Sequence, residues 1–164
     1  MKYWWVNQKQ TFKEEVGGGY MWSPKTNVNG AKNTFYSNMS KVKEGDCIFS
    51  YYFGEIQNIG IAMSQGISSP KPIEFGEKGE RWNTEGWLVK VFYQKLTPGI
   101  IIKEIITELQ PHIPEKYSPI SQEGKGMERY LCSVPNNMAE VLIKNLPNKQ
   151  DLLYLSSRLS KKYS

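Results

Sequence analysis

Tyr3, Trp4, Trp5, Tyr20 and Trp22 crowd together near the start of the chain, beside Asn7, Gln8, Lys9 and Gln10, with a Gly17-Gly18-Gly19 run between them. Aromatic faces, amides and a mobile glycine loop are what a pocket needs to hold a flat polar heterocycle. Stacking on such rings supplies sequence-tolerant binding of about 1–3 kcal/mol per base, and amides add directional hydrogen bonds to the base edge. The pattern predicts a nucleobase reader.

The same residues also have structural readings. Trp4 and Trp5 are neighbours, so in a strand they point to opposite faces and one of them is expected in the core. Trp22, between the glycine run and Ser23-Pro24, is placed on a loop edge. Trp87 alternates with Val89 and Val91, which predicts core packing. Trp82, in Arg81-Trp82-Asn83, falls on a loop, where it would stack on a base or close one end of the sheet.

Residues for catalysis are scarce. The single histidine, His112, is wedged between Pro111 and Ile113-Pro114, away from any motif-placed Ser or Cys. Glu74, Glu77 and Glu80 are scattered charges in a loop, and Gly76-Glu77-Lys78-Gly79 lacks both the spacing and the strand-to-helix setting of a phosphate cradle. No cofactor or metal is expected, and the chain reads as a binding module rather than an enzyme.

These residues must be positioned by a frame that 164 residues, 39% hydrophobic and 13% aromatic, can build as one core. Strands are predicted over 2–7, 47–53, 56–63, 87–93 and 127–134, with a hairpin turn at Gly54-Glu55. Helices are predicted over 33–42, 100–109 and 136–146, the first capped by Asn33 or Thr34 and carrying Phe35 and Met39 on one face. Residues 64–85 and 114–126 read as exposed loops. Beyond Pro147-Asn148, a separate amphipathic helix is predicted with Leu152, Leu155 and Leu159 in one stripe and Arg158, Lys161 and Lys162 near its end. The fold class is therefore α+β: a small curved five- to six-stranded mixed sheet or barrel with flanking short helices.

Cys47 and Cys132 sit in apolar strand-like runs and are expected as two buried thiols. The net charge of +5 favours an anionic partner. With no bilayer-length apolar run and no signal peptide after Met1-Lys2, the expectation is a cytoplasmic protein without a membrane partner.

Several motifs together carry a family resemblance. Tyr3-Trp4-Trp5-Val6-Asn7-Gln8, then Gly18-Gly19-Tyr20-Met21-Trp22-Ser23-Pro24-Lys25, then Asn29-Gly30-Ala31-Lys32-Asn33-Thr34-Phe35-Tyr36 resemble the EVE-type domain found in front of HNH nucleases in bacteria. Residues 42–50, Ile59-Gly60-Ile61-Ala62, Pro72-Ile73-Glu74-Phe75-Gly76, Gly86-Trp87-Leu88-Val89-Lys90-Val91 and Tyr117-Ser118-Pro119 extend it. The likeness spans about residues 2–146, giving a domain over 1–146 followed by a helix or linker over 147–164.

EVE domains are PUA-like, a superfamily that includes the YTH readers of methylated adenine in RNA. The resemblance implies a barrel-like sheet that flips a modified base, 5-methylcytosine or 5-hydroxymethylcytosine in double-stranded DNA, into an aromatic pocket for modification-dependent restriction. It implies base contacts from Asn7, Gln8, Trp22, Ser23, Ser50 and Tyr117, with Trp22 as one wall, Tyr117 opposite and Ser50 at the floor. It implies backbone contacts from Lys25, Lys32, Asn33 and Lys125, though for Asn33 the helix cap is the favoured role. The chain departs from HNH-linked proteins in having no nuclease motif after Leu146. Two other readings stay open: a PUA-like RNA reader, and a small-molecule or interaction module that forms a homodimer through its C-terminal helix.

Overall fold

β1 (Tyr3–Asn7) is buried from Trp4 onward because the sheet it belongs to is covered on both faces. Its neighbours are β3 (Cys47–Tyr52), which runs parallel to it, and the antiparallel β7 (Leu131–Val134). Alternation sends Trp4 and Val6 to the concave face with Ile48, Met39 and Leu131, and Trp5 to the other face with Cys47 and Phe49. Both tryptophans are thus core, not one of the pair.

The computed structural model describes residues 1–148. β2 (Tyr20–Pro24), β4 (Glu55–Ala62), β5 (Ile67–Pro70) and β6 (Glu85–Ile101) complete a seven-stranded sheet in the order β2-β6-β4-β3-β1-β7, with β5 also paired to β6. The α+β class and the curved mixed sheet are those read from the sequence. The helix predicted after Asn148, with Leu152, Leu155, Leu159, Arg158, Lys161 and Lys162, lies outside the described residues.

β6 organises the molecule. Its first half pairs with β2 and β5 (Leu88 opposite Trp22 and Ile67), and its second half pairs with β4 (Val91 opposite Ala62 through to Ile101 opposite Glu55). The sequence pattern ends this strand at Tyr93, because Gln94-Lys95 and Thr97-Pro98-Gly99 read as a break. Tertiary pairing with Asn58 and Ile56 overrides that local signal.

The outer face is closed by α3 (Ile102–Leu109) and α4 (Asn136–Lys144), which bury Ile102, Ile105, Leu109, Met138, Ala139 and Leu142 against Trp5 and Phe49. α2 (Thr34–Ser37) is shorter than predicted and passes into a 3-10 turn over Asn38–Lys41 that plugs the concave face with Met39. The Asn33 side chain caps α2, accepting from the Phe35 N–H at 2.9 Å.

The glycine run is not a loop. It is the C-terminal end of α1 (Phe12–Gly18), with Gly19 left-handed at its cap. Gly-rich sequence hides this helix; the Thr11-x-x-Glu14 pattern, a helix-start signature, could have revealed it. The two thiols are buried and unlinked, and loss of solvation raises each to about 12. Among the described residues no helix is long and apolar enough to cross a membrane, and no cluster of metal-ligating side chains occurs.

Candidate functional site

The curled sheet does not close between β2 and the β1–β7 pair, and a buried polar network bridges the gap. Glu15, on the inner face of α1, is fully buried. It accepts hydrogen bonds from Thr11 Oγ1, Tyr130 Oη, Gln8 Nε2 at 3.2 Å and the Trp22 N–H at 3.3 Å. Loss of solvation drives its carboxyl up to about 7, against the opposing pull of these donors. Gln8 also donates to Tyr93 Oη at 3.0 Å and accepts from Ser50 Oγ at 2.6 Å.

Two cavities open beside this network and share a wall made by Asn7, Lys9 and Met127. The first, about 290 Å³, lies between Trp22, Ser23 and Pro24 of β2, the Asn33 cap and Tyr36 of α2, Trp82, and the segment from Met127 to Tyr130. Trp22 and Trp82 face each other there with ring centroids 6.4 Å apart and planes 32° from parallel. Phe75 meets both rings edge-on. The second cavity, about 420 Å³, is lined by Tyr51, Tyr52, Phe53 and Gly54.

Two close approaches set the tryptophans. Gly86, opposite Pro24, lies against the Trp22 ring, where a Cβ would overlap the indole and the Ser23 carbonyl. Gly79, at φ +63°, sits beneath Trp82 so that a Cβ would fall inside its ring. Gly79→Ala is expected to lose about 1–2 kcal/mol of stability from the left-handed backbone alone and to displace Trp82, seen as a change in near-ultraviolet circular dichroism. An unchanged spectrum would show that Trp82 is not seated by Gly79.

The residues expected to form the site are partly gathered and partly spent elsewhere. Trp22 and Ser23 line the smaller cavity, but Trp22 is in a strand, not on a loop edge, and is only 1% exposed. Its indole N–H donates to the Ser69 carbonyl at 3.1 Å. Asn7 flanks both cavities, yet its Nδ2 donates to the Arg129, Met127 and Pro119 carbonyls and its Oδ1 accepts from Trp5 Nε1. Gln8 and Ser50 are consumed by the network around Glu15, so they brace the floor and do not present open donors.

Tyr117 lines neither cavity: it is 58% exposed and edge-on to Phe35 at 6.0 Å. The ring facing Trp22 is that of Trp82. Lys25 lies over the Trp87 ring at 4.3 Å and bonds to Ser68 and Glu85, so Trp87, half-buried and packed against the core cluster of Trp4, Val6 and Val89 as expected, also carries a cation. Lys32 is exposed next to the Asn33 cap, and Lys125 is exposed on a turn closed by its N–H to Ser121 Oγ. Tyr36, Tyr130, Glu15 and Arg129 were not legible as site residues, because their alignment depends on contacts between distant segments.

No family model matches the chain, and no curated protein matches it. Solved structures do. Rpa0253 from Rhodopseudomonas palustris superposes with TM-score 0.54 at 15% identity, covering 88% of this chain and 92% of that one. A protein from Pseudomonas putida gives TM-score 0.54 at 12% identity, over 87% and 97% of the two chains. These likenesses are of fold alone. The Pho92 YTH domain, solved in complex with m6A, stands further off, at TM-score 0.46 and 14% identity over 90% of this chain and 84% of that one.

Proposed function

We propose that this chain is a modified-base reader that takes a base flipped out of nucleic acid between Trp22 and Trp82. The observation that carries the reading is a pair of indoles lining one cavity of about 290 Å³, with half-buried Trp82 packed as a cover over buried Trp22. A base sandwiched between two rings needs them roughly 7 Å apart, twice a carbon–carbon contact. The observed 6.4 Å and 32° tilt fall slightly short. Trp22 is fixed in β2, whereas Trp82 sits on the turn-rich segment after Phe75, so Trp82 is the wall that moves.

The strand edge offers a directional contact. The Trp22 N–H donates to Tyr130 and Glu15 instead of to β6, so its carbonyl points to the same open edge and can accept from an exocyclic amino group. Extrusion costs a few kcal/mol, which stacking and phosphate contacts from Lys9, Lys25 and Lys32 offset. Following the resemblance to EVE domains, the target is 5-methylcytosine or 5-hydroxymethylcytosine in duplex DNA, read on behalf of a nuclease that carries out the cleavage. One methyl group discriminates by only about 1–3 kcal/mol. Preference is therefore modest unless the amino contact adds to it.

The test is fluorescence-anisotropy binding to matched duplexes carrying cytosine, 5-methylcytosine, 5-hydroxymethylcytosine or methyladenine, with single-stranded RNA alongside, for wild type and Trp82→Ala. Preference for one modified duplex, weakened about 5-fold or more in the variant, is expected. Stronger binding to RNA would transfer the reading to that polymer. Weak, salt-labile binding to everything, unchanged in the variant, would overturn it.

A further inference from the structure

The larger cavity has no part in holding the flipped base, yet three aromatic residues line it. It is lined by Tyr51, Tyr52 and Phe53 on one side and Met127 and Gly126 on the other. Tyr52 is stacked on Phe12 with centroids 4.4 Å apart and planes 7° from parallel, a rigid platform. Phe53 leans on Tyr52 at 5.8 Å.

Phe53 is misplaced for any structural purpose. It is 88% exposed, at the tip of the turn that joins β3 to β4, and adopts φ +55°. A bulky residue in left-handed backbone at a tight hairpin is a genuine outlier, where asparagine or glycine would suffice. Gly54 beside it, at φ +85°, has the residue type the turn favours. The strained backbone that holds this exposed ring over the cavity is the kind of outlier found at ligand sites.

We propose that this cavity is a second base subsite, which takes the nucleobase adjacent to the flipped one on the same strand, stacked on Phe53 and Tyr52. The inference rests on the reader function proposed above. Its geometric basis is the wall common to both cavities, formed by Asn7, Lys9 and Met127, so that a strand leaving one enters the other directly. Lys9 stands on that wall with its ammonium 2.9 Å from Glu128, in a bridge whose two side chains are 65% and 88% exposed. Such a surface pair is weak, and Lys9 can turn from Glu128 to the phosphate that links the two nucleotides. The cavity thereby reads neighbouring context, and it favours targets in which two successive bases are unpaired.

The experiment compares wild type with Phe53→Gly on single-stranded and duplex oligonucleotides bearing the preferred modified base, with the neighbouring position on either side, in turn, either a normal base or an abasic sugar. Glycine suits the turn, so the variant should melt at or above the wild-type temperature and cannot fail by unfolding. For wild type, removing the neighbouring base on one side should weaken binding about 5-fold or more. In Phe53→Gly that loss should shrink, because one of the two stacking rings is gone and only Tyr52 remains, while preference for the modified base persists. Equal binding by both proteins, or wild-type indifference to abasic neighbours on both sides with modified-base preference intact, would overturn the second subsite alone. Loss of modified-base preference in wild type itself would instead indict the reader function.

Discussion

Trp22→Ala should destabilise the protein by about 3–5 kcal/mol, the range for deleting a large buried aromatic from a packed site. Trp22 is 1% exposed and forms a satellite core with Tyr20 and Phe75. Its indole N–H holds the Ser69 carbonyl of β5, and its ring lies against Gly86 of β6. Removing it opens a void where three strands meet. Chemical denaturation would register this as a lower midpoint, and a loss below about 1 kcal/mol would mean the ring is not part of the packing. Loss of binding in this variant would therefore say little about recognition, whereas half-buried Trp82 can be truncated with smaller consequences for the fold.

Glu15 should make stability fall as pH rises toward neutrality. Its carboxyl is buried and raised from 4.5 to about 7, so between those values the folded chain holds a proton that the unfolded chain releases. The stabilising effect is complete below about pH 4.5 and is lost by about pH 7, amounting to roughly 3 kcal/mol. Glu14, Glu108 and Glu128 are shifted the opposite way by lysine partners, so their effects appear as pH falls below the normal carboxylate range, outside this window.

Glu15→Gln keeps an acceptor for Tyr130 and Gln8 but cannot ionise. Denaturation midpoints from pH 5 to pH 8 should decline in wild type and stay level in the variant, which becomes the more stable form at pH 8. Parallel profiles would show that Glu15 does not titrate in this range. Because Glu15 and Tyr130 both receive the Trp22 N–H, the charge state of this carboxyl also bears on how firmly the cleft wall is held.

Much of the frame is legible in the sequence because it rests on local signals. The strand character of β1 and β3, the hairpin turn at Gly54 and the Asn33 cap each follow from residues within a few positions of one another, although the turn is made by Phe53-Gly54 and not by Gly54-Glu55. What escaped depends on distant partners. β5 is four residues of Ile-Ser-Ser-Pro with little strand character, and it exists because Leu88 and Trp87 offer an open edge. The polar floor was misread for the same reason. Asn7, Gln8 and Ser50 were identified as polar and well placed, but only the fold shows that Arg129, Glu15 and Tyr93 already occupy their hydrogen bonds. Conversely, the sequence leaves Trp82 between stacking on a base and closing one end of the sheet, and only the fold sets it over Gly79 and beside Trp22.

The segment that supplies Phe75 and Trp82 leaves β4 and returns to β6 through a neck pinned at both ends. The Met63 N–H donates to the Lys90 carbonyl at 2.7 Å, and the Lys71 N–H donates to the Thr84 carbonyl at 2.7 Å. Residues 72–83, beyond the second pin, add no strand to the sheet. Apart from Phe75, which packs with Tyr20 and Trp22, insertions, deletions and side-chain exchanges there can reshape one jaw of the cleft while the opposite jaw, built into β2, stays fixed. Divergent copies of this scaffold can therefore acquire new targets by drift in a single surface excursion.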